Sequence, residues 1–336
     1  MLPRSRRTFL KSGTAVAAAG LTGLAGCVGG GGGDDALGFN FTVPIENLGS
    51  LLDIPDIQDQ LGNIGDEYEL NVSQDSSTPD SLNALAAGES DICLVTTVSY
   101  ASAVMQEAVP GNITMLATDF WDAHDDYYGF TIFSHSDSDI TEPEDMEGAT
   151  LGVNSLGTGI HSVYQRQLLE LGLDPDEDVE FVEQDFPTFT AGLEDGIFDV
   201  AIYPALFAPQ ARNNGFNEVF SSQDVWDGEY PFAYVVASNN ALDQKEDAVQ
   251  SWMEDYVDVV DYMFENRDEV VSLASEHFEI PEELVDSFFL TEQDYYRDQI
   301  EIDFDRLQFA IDEMHEMGFT DDTFDVEEHA TNEYLP

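Results

Sequence analysis

Along most of the chain, short continuous apolar runs alternate with stretches in which apolar residues recur at three-and-four spacing. The first pattern suits strands buried on both faces and the second suits amphipathic helices. Together they predict an α/β protein with mostly parallel sheets. Residues 39–43, ending at Pro44, read as a first strand and residues 69–73 as a second. Residues 77–87 read as a helix with Pro79 in the first turn, where a missing N–H costs nothing, and Gly88 as its stop. Residues 91–95 form the next predicted strand. The C-terminal third reads as helical over 244–266, 267–277 and 281–290. Its stripes, such as Val249, Trp252, Met253, Tyr256, Val259, Val260 and Met263, fit core faces better than ligand boxes.

The helix–glycine–strand unit recurs. PDSLNALAAGESDICLV (79–95) aligns with PTFTAGLEDGIFDVAIY (187–203), matching Pro79 with Pro187, Leu85 with Leu193, Gly88 with Gly196 and Asp91 with Asp199. Each copy follows a predicted strand, 69–73 in one case and 179–183 in the other. A generic α/β unit would look similar, but a true repeat implies two like lobes. Ligands in open α/β sheets bind beyond the carboxyl ends of strands, so two such lobes would make a cleft between them. Between the copies, GATLGVNSLGTG (148–159) precedes a predicted helix over 160–171. A strand, a Gly/Ser/Thr turn and a helix start can present free N–H groups to an oxyanion. An ordinary turn capped by Ser155 or Thr158 fits the same residues. No Gly-Lys-Ser/Thr ending marks an ATP-type phosphate loop.

The N-terminus changes the picture. SRRTFLK (5–11), an apolar stretch over 14–25 and LAGC (24–27) resemble, in order, a twin-arginine export signal and a lipoprotein cleavage box with Cys27 as the lipidated residue. The apolar stretch is too short for a membrane span of about 20 residues. Residues 29–33 are all glycine and read as part of a tether over 28–36.

Of 69 acidic and 10 basic residues, every acid and only six bases lie after Cys27, a net charge of −63. Such a chain has no basic footprint for nucleic acid and is not drawn to anionic lipid by its surface. The acids are scattered rather than gathered in a tail, as in proteins of extreme halophiles, where molar salt shortens screening to about 3 Å. With Cys27 lipidated, Cys93 stands alone in an apolar run and reads as a buried small hydrophobe.

Three further stretches carry a family resemblance: ALAAGESDI (84–92), EGATLGVNSLGTG (147–159) and LGLDPDEDVEFV (171–182). They are similar to the solute-binding proteins of nitrate, sulfonate, taurine and thiamine-pyrimidine ABC importers, here of a haloarchaeal twin-arginine lipoprotein type. Glu147 stands where that family has a basic residue. The resemblance implies an α/β fold of the type II periplasmic-binding-protein kind, two lobes with a ligand cleft and two crossover strands. Lobe 1 would be 37–127 plus 236–336 and lobe 2 128–235. It also implies capture of a small molecule outside the cell, hand-over to an ABC permease and ATPase, a monomer, and no cofactor or catalysis.

By the rule that contacts follow strands, the expected cleft residues are Pro44, Glu46 and Asn47, then Thr96, Thr97 and Ser99. Ser155, Gly157, Thr158 and His161 follow, with Tyr203 and Pro204. The cluster 119–128 adds Phe120 and Trp121, aromatics beside carboxylates that could meet a flat or cationic ligand. The same cluster offers Asp122, His124 and Asp126 to a metal, although chance groupings of acids are expected in this chain. A pyrimidine-synthase-like enzyme of the same fold, a sensor module and a TRAP-type receptor are the rival readings.

Overall fold

The computed structural model describes residues 36–336. The export-type segment, Cys27 and most of the glycine tether lie outside the described residues. Ten strands form two five-stranded sheets. They are β1 (Ala36–Phe41), β2 (Glu69–Gln74), β3 (Ile92–Thr96), β4 (Ile113–Asp122), β5 (Thr131–Ser134), β6 (Thr150–Val153), β7 (Glu180–Glu183), β8 (Val200–Tyr203), β9 (Asn217–Ser221) and β10 (Tyr230–Ser238). The first sheet has the order β2-β1-β3-β10-β4 and the second β7-β6-β8-β5-β9. In each, three strands are parallel and the fourth runs antiparallel to both its neighbours. That fourth strand always enters from the other half: β5 follows β4 of the first sheet, and β10 follows β9 of the second.

The repeat read from the sequence reappears as identical local bonding. The helix Thr78–Ala87 ends at Gly88 (φ 72°), with Glu89 N donating to Ala84 O. The helix Phe189–Glu194 is followed by Gly196 (φ 65°), with Ile197 N donating to Gly192 O. Both glycines take the left-handed conformation that lets the chain turn directly into the next strand. Asp91 then clamps β1, its N–H donating to Gly38 O and its carboxylate accepting from Gly38 N at 2.9 Å. Asp199 does the same to Thr150 at the start of β6, at 2.8 Å.

Helices cover the sheets. The stripe of Glu246–Glu265 buries Trp252 and Tyr256, with Trp252 against Phe39 at 5.2 Å. The C-terminal segment runs along β4, bridging Trp121 to Tyr296 and Met115 to Ala330, which covers a sheet edge that would otherwise be open. Strand β1 stops at Phe41, two residues before the predicted end. The Asn47 side chain accepts from Thr42 N, Thr42 Oγ1 and Val43 N and so replaces the ladder there. Cys93 is buried in β3, and burial pushes its thiol pKa up.

The two crossings between sheets are strapped together by Asp122. This fully buried carboxylate accepts from Ser222 Oγ at 2.7 Å and Phe130 N at 3.3 Å. Gln223 Nε2 adds bonds to the carbonyls of His124 and Tyr127. Among the described residues, no helix is long and apolar enough to cross a membrane.

Candidate functional site

The carboxyl ends of β1, β3, β6 and β8 face one another and close on a cavity of about 50 Å³. A single water needs about 10–15 Å³ on a comparable measure, so the chamber is small. Thr42, Val43, Glu46 and Asn47 line it from the loop after β1, and Thr78 from a helix start. Leu94–Thr96 come from the end of β3, and Asn154, Thr158, Gly159 and Ile160 from the turn and helix after β6. Pro204 follows β8, and Phe120, Phe130, Phe186, Phe232 and Ala233 complete the wall. An outer cavity of about 240 Å³ shares Thr42, Val43 and Phe186 with the inner one and adds Pro44, Gln74, Asp75, Ser76, Asp185, Pro187 and Phe207.

Direct bonds draw the two sides together. Gly159 N donates to Thr96 Oγ1 at 2.8 Å, and Leu206 N donates to Glu46 Oε1 at 2.5 Å. A Cβ on Gly159 would lie 2.5 Å from Phe232 Cζ and 2.9 Å from Thr96 Cβ. Farther out, Arg166 on the helix Gly159–Leu171 pairs with Glu313 on Phe304–Glu316 at 2.8 Å.

Glu46 is placed with unusual effort. Ile45 adopts φ 70°, a conformation in which a β-branched residue is strained, and a bond from Glu46 N to Pro44 O closes the turn. Below it, Arg297 is 2% exposed. It bonds both oxygens of Asp294 at 2.7 and 2.8 Å and donates to Glu46 O at 2.6 Å. Asp119, also buried, accepts from Asn47 Nδ2, Leu48 N and Tyr256 OH. This network fixes the loop that carries Glu46, and every part of it is held by bonds on both sides. Burial raises the Glu46 carboxyl pKa to about 8, against the pull of the Leu206 N–H and of Arg297.

Of the residues expected from the sequence, Glu46, Asn47, Thr96, Phe120, Thr158 and Pro204 line the inner cavity and Pro44 the outer one. The others do not line either. Thr97 Oγ1 bonds to the carbonyls of Pro231 and Phe232 and to Tyr234 OH inside the first lobe. Ser99 caps its own helix through Thr96. The Trp121 indole donates to Gln299 O in the core. Ser155 and Gly157 form the turn, Gly157 with φ 72°.

His161 packs edge-on against Phe181 and Phe319 and accepts from Gly157 N. Burial lowers its pKa to about 4, so it is neutral. The Tyr203 hydroxyl lies by Thr190 within the second lobe. Phe186, Asp75 and Asp185 were missed, although they follow β7 and β2 and the same strand-end rule reaches them. Phe130 and Phe232 sit at the crossings, and Arg297 carries no local signal at all. Among the described residues, no group of three or more His, Cys, Asp or Glu side chains is placed to hold a metal ion.

Two α/β halves exchanging one strand each and closing on a cavity at their strand ends define a periplasmic-binding-protein fold, and solved structures agree. The alkanesulfonate-binding protein SsuA from Xanthomonas axonopodis pv. citri, bound to MOPS, superposes with a TM-score of 0.71 at 13% identity, covering 88% of this chain and 98% of its own. A zinc-bound ligand-binding component of an ABC-type import system from Staphylococcus aureus gives 0.72 at 13% identity, covering 89% and 97%. The periplasmic nitrate-binding protein NrtA from Synechocystis PCC 6803 gives 0.69 at 14%, covering 89% and 87%. At such identities the likeness concerns the fold. Residues 62–275 match the NMT1-like family, and the chain belongs to it. No curated protein matches the sequence.

Proposed function

We propose that the protein is the extracytoplasmic solute-binding component of an ABC importer. It would be exported by the twin-arginine route, anchored through lipid on Cys27, and would capture a small molecule between the expected lobes, 37–127 plus 236–336 and 128–235, with the second boundary drawn back to Tyr230 because β10 lies wholly in the first sheet. The observation that carries this reading is the closed cavity at the facing strand ends, held by Thr96–Gly159 and Glu46–Leu206 bonds across the cleft. Such bonds form only when the halves approach, and a ligand that prefers the approached state shifts the population toward it. A binding role without catalysis fits the cavity's donor set. His161 is neutral and outside it, Cys93 is buried in the sheet, and no nucleophile stands beside a base on its lining.

Thermal unfolding in molar salt against sulfonates, nitrate, taurine, carboxylates, pyrimidines and amines tests the reading. A ligand at a thousand times its dissociation constant stabilises the fold by about 4 kcal/mol. A clear rise in Tm with one compound class supports capture. Chemical turnover of a bound compound by the purified protein would refute it in favour of an enzyme.

A further inference from the structure

We propose that the solute held in this cleft is a small organic cation, an ammonium or amidinium group on a body apolar enough to lie against phenylalanine rings. The inference rests on the binding-protein reading of the same site and adds the chemistry of its occupant.

Charge is the first ground. The only ionisable side chain on the inner lining is Glu46, and the outer lining adds Asp75 and Asp185. None of the six basic residues after Cys27 lines either cavity. Five are engaged with acids: Arg166 with Glu313, Arg212 with Glu218, Lys245 with Asp91, Arg267 with Asp286 and Arg297 with Asp294. In a chain with 69 acids, carboxylates at the mouth carry little information alone. Glu46 differs because it is 2% exposed, set by a strained turn, and bonded through Oε1 only. Burial disfavours its ionised form more than Arg297 offsets, and a cationic ligand beside it would supply the missing counter-charge.

The second ground is the donor geometry. The turn before the helix Gly159–Leu171 was a plausible oxyanion cradle in the sequence. Most of its N–H groups are instead taken: Leu156 by Glu183 Oε1, Gly157 by His161 Nδ1, Gly159 across the cleft by Thr96 Oγ1, and His161 and Ser162 by Thr158 O, which leaves those of Thr158 and Ile160. An anion would therefore meet Glu46 with two backbone N–H groups and no basic side chain to hold it. The third ground is the wall of four phenylalanines on the inner cavity, whose ring faces attract cations, more strongly where water is excluded.

A pH signature follows. Burial favours the protonated Glu46, with Arg297 opposing and Asp294 and Asp119 reinforcing the shift, and the Tyr128 and Tyr295 hydroxyls lie near it. A cation entering beside it displaces the proton, so its affinity weakens as pH falls below about 8. The expected loss between pH 8.5 and 6.5 is about 25-fold for one coupled proton.

The test is calorimetric titration of the full chain in molar potassium chloride. Tetramethylammonium, guanidinium and benzylammonium are compared with nitrate, methanesulfonate and neutral benzyl alcohol. Expected is binding of at least one cation, with benzylammonium at least tenfold tighter than benzyl alcohol and losing affinity as pH falls. Glu46→Gln should remove both the preference and the pH dependence. Should that variant misfold, the wild-type pH series stands by itself, and Phe186→Ala at the mouth should weaken benzylammonium about fivefold. Tighter binding of nitrate or methanesulfonate than of every cation overturns the inference while leaving a binding protein. Failure of all three cations to bind the folded chain also overturns it, and the broader thermal panel then judges the binding-protein reading separately.

Discussion

Closure of the cleft should depend on the absence of one methyl group. Gly159 opens the helix Gly159–Leu171 with a backbone that an alanine can adopt, since its φ is not positive. In the closed state, however, an added Cβ would stand 2.5 Å from Phe232 Cζ, where carbon atoms ordinarily rest about 3.5–4.0 Å apart. The ring cannot easily withdraw, because it lies against Phe120 at 5.6 Å and Phe130 at 4.5 Å between centroids. Overpacking of this kind costs about 1–3 kcal/mol. Here the cost falls on the closed state alone, so Gly159→Ala should weaken ligand binding by roughly 5- to 150-fold. The stability of the ligand-free protein should stay the same or rise slightly, alanine being the better helix former. Calorimetry with the compound that stabilises the wild type gives the affinity, and small-angle scattering with and without it reports closure. An affinity within twofold of wild type, with normal compaction, would refute the claim that this contact gates the cleft.

Three further outcomes are expected. Arg297→Met should lower Tm strongly, because it leaves Asp294 charged, buried and unpaired, a loss of about 3–5 kcal/mol; the double variant Arg297→Met/Asp294→Leu should recover part of it, and equal Tm values for the two variants would count against the pairing. Burial raises the Asp122 carboxyl pKa to about 7, above its unfolded value, so its contribution to stability is complete in acid and is lost as pH rises through 7. Asp122→Asn should accordingly flatten the fall in Tm between the ordinary carboxylate value of 3.8 and pH 7, whereas parallel profiles for variant and wild type in that window would contradict it. Tm should climb steeply from dilute to molar salt as the screening length shortens from about 10 Å at 0.1 M to about 3 Å at 1 M; a salt-independent Tm would remove the halophilic reading of the charge.

The linear pattern of residues was enough for an α/β chain with two like halves, and the family resemblance added the crossover strands. Apolar runs marked β3 and β8 to within a residue or so, because a strand buried on both faces must be apolar throughout; the edge strands β2 and β7 fell as close to their expected positions although they are half exposed and mixed in polarity. The recurring Leu–Gly–Asp spacing announced two like halves, since a left-handed glycine and a strand-clamping aspartate are local devices with local signatures. The strand-end rule put Glu46, Asn47, Thr96, Thr158 and Pro204 on loops that line the inner cavity, because a loop's position follows from its strand.

What lay beyond the sequence was decided by contacts between distant segments. Nothing near Arg297 in the chain says that it will support Glu46 from 251 residues away. The same holds for Phe232, which meets the helix start at Gly159 only once the two sheets have exchanged strands. His161 looked like a ligand partner by position and became a neutral packing residue because Phe181 and Phe319 enclose it. Local spacing encodes the elements, but the polarity of the cleft depends on which side chains folding turns inward. Of the six bases after Cys27, five are paired with acids and none reaches the cavity wall, where Glu46 is left.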